Sequence, residues 1–328
     1  MRLVLPNEIR LVEVGLRDGL QVVEQTLATD EKLNLVRLLL QSGVRHIEAV
    51  SFAHPKVLPQ LADAEELMAL VPRDCGANYR GLVPNLRGAQ RAAACDLDEI
   101  VALTCADETV TRINQNRTVS EVLSELPSIG ETVRAAGARL VVGVAMAFFA
   151  PGRGVVPVQE RNRCIDAAVD AGATGIYLAC SSGMDDPRQV ADGVADLRQR
   201  HPHVEVGVHL HARNGMALAN ALAAMSAGAH WLEGAFGGLG GDLWAPGPRD
   251  VLGNVPFEDL VHMTECLGVR TGVDLNEYMK VVFAAEALTG WKPRSSVITG
   301  GTRAALAEFD WTRTISDQLL LTERMEQA

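Results

Sequence analysis

Along most of the chain, short β-branched runs alternate with stretches whose apolar residues recur at helical spacing. Eight such runs predict strands, at 9–14, 46–50, 79–83, 99–103, 140–147, 175–178, 204–211 and 231–235. Helical periods fill the gaps at 30–41, 119–136, 159–171, 187–200, 216–227 and 257–267. Caps and glycines punctuate them, as at Thr29-Asp30, Ser42-Gly43 and Ala171-Gly172. Strand–helix alternation repeated eight times predicts an α/β fold, a parallel (β/α)8 barrel rather than an open sheet. The expected barrel domain spans residues 1–268. Residues 269–328 are expected to form a C-terminal helical extension packed on it, helical at 276–288 and irregular around 290–301.

Composition narrows the function classes. Apolar residues make up 48% of 328, enough for one large core. There is no apolar run of about 18 residues, so no membrane span is expected. The N-terminus carries charge too early to read as a secretory signal, and the expected setting is cytoplasmic. A formal net charge of -11 argues against a nucleic-acid partner, which needs a basic surface. It leaves room for a CoA thioester, whose phosphates need only a local basic cluster. The cysteines are scattered without a CxxC pair and read as reduced thiols.

Barrel chemistry gathers where strands meet the loops at their C-terminal ends. Three stretches with suitable residues fall there. After the first strand comes Gly15-Leu16-Arg17-Asp18-Gly19, offering a carboxylate beside a fixed cation. His209-Leu210-His211 ends the seventh strand, where residues two apart share a face. Gly253-Asn254 follows the eighth and adds an amide oxygen. Two imidazoles, a carboxylate and an amide suit Mg²⁺ or Mn²⁺ with open positions better than a closed zinc site. Each piece alone is common in packed strands and turns; their coincidence at strand ends carries the expectation.

The run from Glu13 to Gln21 resembles the opening motif of hydroxymethylglutaryl-CoA lyases. The likeness continues through Ile47-Glu48-Ala49-Val50-Ser51-Phe52, Val83-Pro84-Asn85-Leu86, Asn114-Gln115-Asn116, His209-Leu210-His211, Gly237-Gly238-Leu239-Gly240-Gly241 and Gly253-Asn254. The resemblance implies a carbon–carbon lyase that cleaves a 3-hydroxy-3-carboxylic acyl-CoA to acetyl-CoA and a keto acid. It further implies a divalent ion, Mg²⁺ or Mn²⁺, held by Asp18, His209, His211 and Asn254. Arg17 would stabilise a developing oxyanion and Glu48 would be a supporting catalytic carboxylate. Glu48 reads equally well as a partner that orients Arg17 or a ligand. Gln21 and Asn114 fall in motifs expected to meet substrate, and relatives imply a homodimer.

The chain departs from that family at two places. Where the lyases carry a cysteine behind the glycines of the last loop, this chain has Asp242. Where they carry an aspartate at the end of the sixth strand, it has Cys180. Three readings stand open. Asp242 and Cys180 share proton transfer with altered geometry; or the pocket is rebuilt for another acyl group, with Arg213 or Arg249 meeting an extra carboxylate; or Cys180 is a packed strand residue and Asp242 a solvated acid. Other activities weighed are a condensing aldolase or synthase and a catalytically silent metal-binding barrel. The glycine run 237–241 lacks the Lys-Ser/Thr of a phosphate loop and reads better as a hinged lid. Lys56, Arg112, Arg117 and Arg153 are further basic candidates for ligand contact.

Overall fold

The computed structural model describes residues 4–241 and 251–312. Asp242 and Arg249 lie outside the described residues. In chain order the elements are β1 (Arg10–Glu13), α1 (Thr29–Gln41), β2 (His46–Ser51), α2 (Ala64–Leu70), β3 (Asn78–Val83), α3 (Leu86–Ala92), β4 (Glu99–Cys105) and α4 (Glu108–Gln115). There follow α5 (Val119–Ala135), β5 (Arg139–Ala145), a small hairpin of β6 (Phe149–Ala150) and β7 (Gly154–Val155), α6 (Val158–Asp170), β8 (Gly175–Cys180) and α7 (Pro187–Arg200). The series continues with β9 (Glu205–Leu210), α8 (Ala217–Ser226), β10 (Trp231–Gly234), α9 (Phe257–Cys266) and α10 (Leu275–Thr289).

Eight of these strands close into a barrel in the order β1-β10-β9-β8-β5-β4-β3-β2, every pair parallel. All eight expected strands are present, with ends shifted by a residue or a few. The unforeseen helices α2, α3 and α4 are only seven or eight residues long. Two of them are announced by N-caps: Asn85 accepts from Gly88 N, and Asp107 accepts from Val110 N. The compact unit ends at Ser295, so α10 belongs with the barrel. A second, short unit begins at Ser296 and contains the helices Ser296–Gly300 and Arg303–Ala307. Among the described residues no helix is long and apolar enough to cross a membrane.

Inside the barrel the side chains are unusually polar for a packed core. Toward the N-terminal ends of the strands, Glu99 receives Arg80 Nε and Arg139 at 3.2 Å. Glu205 receives Arg10 at 2.9 Å and Arg139 at 2.8 Å. An apolar layer of Val12, Val14, Val101, Val141 and Trp231 lies among these charges. Burying a charge is tolerable only when it is paired and hydrogen-bonded, and here Arg and Glu alternate through the lumen.

Candidate active site

The backbone leaves β1 through a single wide turn, Gly15–Gly19, in which Asp18 N and Gly19 N both donate to Val14 O, at 2.7 and 3.2 Å. Such π-type turns are rare and collect at functional sites, because they displace a side chain from the regular spiral. Gly15 is required: a Cβ there would lie 2.5 Å from the Phe236 ring. This turn buries Arg17 and Asp18 side by side at the top of the lumen, with Arg17 Nη1 2.6 Å from Asp18 Oδ1.

β9 brings in the imidazoles. His209 and His211 project to the same face, and their Nε2 atoms stand 3.1 Å apart. The third element arrives by backbone pairing: Val255 N donates to Leu210 O and Ala212 N to Gly253 O, both at 2.8 Å, which sets Asn254 against His211. Asn254 Nδ2 then donates to Asp18 Oδ2 at 2.7 Å and to Leu239 O at 2.9 Å. Gly240, at φ +142°, closes over this contact, where a Cβ would overlap the Asn254 amide.

Asp18, His209 and His211 offer ligand atoms that all lie within 4.8 Å of one another. Two observations fit a cation among them. The facing ring nitrogens cannot both be lone pairs without a proton or a metal between them, and Asn254 Oδ1 is buried with no partner. The protonation states suit ligation. Burial and the neighbouring His209 charge push His211 down to about 4, so it is a neutral imidazole. Burial opposes charge on Asp18, yet Arg17 and the imidazoles hold its carboxyl at about 2. His209 is turned by Glu233, whose Oε2 meets its Nδ1 at 2.9 Å and leaves Nε2 facing the centre.

Beside this centre opens a cavity of about 340 Å³. Arg17, Asp18, Gln21, Asn114, His209 and His211 all line it, as the sequence led us to expect. Gln21 also donates from Nε2 to Asp18 Oδ1 at 3.2 Å and to Gly241 O at 3.0 Å, tying the glycine loop to the Asp18 carboxylate. Glu48 stands elsewhere. It is fully buried behind Arg17, accepts its Nε, and does not line the cavity. Cys180 also lies away from it. On β8 the inward positions are Tyr177 and Ala179, so Cys180 faces the helices, its thiol pushed well up by burial and by Asp185. Arg213 packs by Gly183 and is absent from the lining. Among the lining residues that the sequence reading did not single out are Tyr177 and Ser181, whose Oγ accepts Met146 N at 3.0 Å. Alternation from Gly175 along β8 puts both inward and was the available signal.

A family model described as HMGL-like matches residues 8–283. The chain belongs to the HMGL-like family. Among its relatives, the hydroxymethylglutaryl-CoA lyase of Bacillus subtilis is 33% identical over 89% of this chain and 96% of its own. The (R)-citramalyl-CoA lyase of Chloroflexus aurantiacus is 35% identical, covering 82% of this chain and 87% of its own. The solved HMG-CoA lyase of Acinetobacter baumannii, in complex with coenzyme A and 3-methylmalate, superposes with a TM-score of 0.85. That pair is 32% identical over 90% of this chain and 96% of the other. The curated relatives are carbon–carbon lyases, and this chain is a divergent carbon–carbon lyase of the family.

Proposed function

We propose that this lyase is divalent-metal-dependent and cleaves a 3-hydroxy-3-carboxylic acyl-CoA to acetyl-CoA and a keto acid. The observation that carries the reading is the convergence of Asp18, His209 and His211 on one point, next to Arg17, in the wall of a cavity at the C-terminal end of the barrel. Those three, with Asn254, would hold the ion, Mg²⁺ or Mn²⁺ from the hard oxygen and imidazole donors. When bound, it supplies Lewis acidity toward the oxygens of the scissile hydroxy acid.

The chain's own residues do the rest. Arg17 is a fixed cation, locked by Glu48 and Asp18, and faces the oxygen on which negative charge gathers as the carbon–carbon bond breaks. The substrate hydroxyl gives up its proton, its carbon becomes a ketone, and the released enolate of acetyl-CoA takes a proton in return. Glu48 acts through Arg17 as a positioning residue. Gln21 and Asn114 contact the substrate from the cavity wall. Asp242 stays the candidate proton carrier from its place directly behind Gly240-Gly241 in the sequence. Cys180 and Arg213 have no part in this reading, since neither lines the cavity.

Two substrates of the relatives set the choice of assay: hydroxymethylglutaryl-CoA and (R)-citramalyl-CoA. Release of acetyl-CoA from either, with Mg²⁺ or Mn²⁺ and abolished by EDTA, is the expected result. Mn²⁺ binding with no cleavage of either would overturn the reading in favour of a silent metal-binding barrel. Product analysis from acetyl-CoA and the keto acid separates cleavage from condensation. The reading also carries a homodimer, to be checked by light scattering.

A further inference from the structure

Four consecutive strands of the barrel share one inward layer whose residues alternate between nothing and a large ring. In register they are Gly143 on β5, Tyr177 on β8, Gly207 on β9 and Trp231 on β10. Each ring lies across a glycine of the preceding barrel strand: a Cβ at Gly143 would overlap the Tyr177 ring and hydroxyl, and one at Gly207 would overlap the Trp231 indole. Only glycine admits this stacking. The two rings then differ in what they do with their polar atoms. Trp231 Nε1 donates to Glu233 Oε1 at 2.8 Å, and its faces meet the guanidinium groups of Arg10 and Arg80. The Tyr177 hydroxyl makes no hydrogen bond among the described residues, although a tyrosine buried this deeply ordinarily has one. Tyr177 lines the cavity, with its ring 5.9 Å from that of the expected metal ligand His209. Beside it the lining is short, Ala145 and Ala179; Leu103, in register beyond Gly143, and Leu82 line the cavity as well, and the tyrosine ring is the bulkiest side chain among these.

We propose that Tyr177 is the specificity-determining residue of the cavity: its ring sets the size of the branch at the cleaved carbon, and its hydroxyl donates to a carboxylate or keto oxygen of the substrate. The substrate class is then an acyl-CoA whose hydroxyl-bearing carbon carries a short branch and an oxygen acceptor directed at the cavity floor. This rests on the acyl-CoA lyase reading above. A phenolic hydroxyl can donate to an oxygen that only accepts.

Two variants divide the two roles. Tyr177→Phe keeps the ring and removes the donor, and should lower kcat/KM for the preferred acyl-CoA about 10- to 100-fold, the worth of a hydrogen bond to a charged group. It should leave the preference between methyl- and propyl-branched substrates unchanged. Tyr177→Ala opens the floor and should move that preference toward the propyl branch by about 10- to 200-fold. Thermal unfolding of each variant reports whether it folds, and Phe serves as the conservative check. Full kcat/KM in Tyr177→Phe, together with an unchanged branch preference in Tyr177→Ala, would overturn the proposal. Should wild type cleave no acyl-CoA, the lyase reading fails by itself. The floor is then read by calorimetric binding of free 2-hydroxy acids of graded length with Mn²⁺. The same shift toward longer acids in Tyr177→Ala is expected, and its absence overturns the role of Tyr177.

Discussion

The two ends of the barrel lumen are built from the same residue types and used in opposite ways. At the N-terminal end Arg10, Arg80, Arg139, Glu99 and Glu205 are paired with one another, both oxygens of Glu99 receive guanidinium donors, and only Arg10 Nε among their buried atoms is left without a partner. At the C-terminal end Arg17, Asp18, Glu48, His209, His211 and Asn254 are more deeply buried than Arg10, Arg139 and Glu205, yet more donor and acceptor atoms are left over. Glu48 Oε2 and Asn254 Oδ1 have no partner, and the two Nε2 atoms face each other. Glu233 joins the two ends, taking Arg80 at 3.0 Å on one oxygen and His209 at 2.9 Å on the other. A charge network nearly closed on itself holds a fold in register. One left open by a few atoms is a binding site, because each orphan costs stability until a ligand satisfies it.

That contrast is sharpened most by cutting the open end. His211→Ala should lower turnover by at least about a thousandfold and abolish Mn²⁺ binding, since the metal supplies several kcal/mol of charge stabilisation. The apo protein should unfold within a few degrees of wild type, as His211 is a neutral side chain. A large loss of apo stability would show that the upper end is structural as well. Glu99→Gln at the closed end should do the reverse: about 3 kcal/mol of stability lost in urea unfolding, from the guanidiniums left undercompensated, with Mn²⁺ affinity unchanged. Glu233→Gln lies between the two. It should weaken Mn²⁺ about 10- to 100-fold by releasing the His209 ring, which calorimetry reads directly.

The open end was far more legible from sequence than the closed one. Asp18, His209 and His211 could be found because strand spacing and strand ends locate chemistry without a structure. Of the readings open for Cys180, its position favours the packed strand residue over the proton carrier, for a reason the same rule contains: it lies one residue out of phase with Tyr177 and Ala179, so it turns to the helices. Glu48 was seen, and the alternative of an Arg17 partner is the one its burial favours. The closed end left only a weak trace, charges such as Arg80, Glu99 and Glu205 on strands otherwise apolar. Which of them pair depends on register between strands far apart in sequence, as in Arg80 with Glu99 and Glu233. The Gly143–Tyr177–Gly207–Trp231 layer is invisible for the same reason.

A third set of buried acids tests whether pairing is what keeps the lumen charged. Glu13 and Glu258 lie outside the lumen, beneath the glycine loop, with no cation among their contacts. Glu13 Oε1 accepts Phe236 N at 2.9 Å and Gly15 N at 3.1 Å, and Glu258 Oε2 accepts Gly237 N at 3.2 Å. Tyr278 faces Glu13, and Asp259 and Ser295 face Glu258. Burial raises both carboxyls to about 8, so each is protonated in the folded chain where the unfolded chain would be ionised. A raised folded value gives stability that is complete below about 4.5 and lost as pH rises through about 8. The expected slope between pH 6 and 8 is a loss of about 1 kcal/mol per pH unit for each carboxyl. His209, also raised, adds a slope of the same sign. The measurement is therefore the difference between wild type and Glu13→Gln in urea unfolding with EDTA present. Gln keeps the acceptor for Phe236 N and cannot ionise, so the variant should gain on wild type steadily from pH 6 to 8. Parallel curves would mean that Glu13 is ionised without a counter-charge, and the rule drawn from the two ends of the lumen would fail outside it.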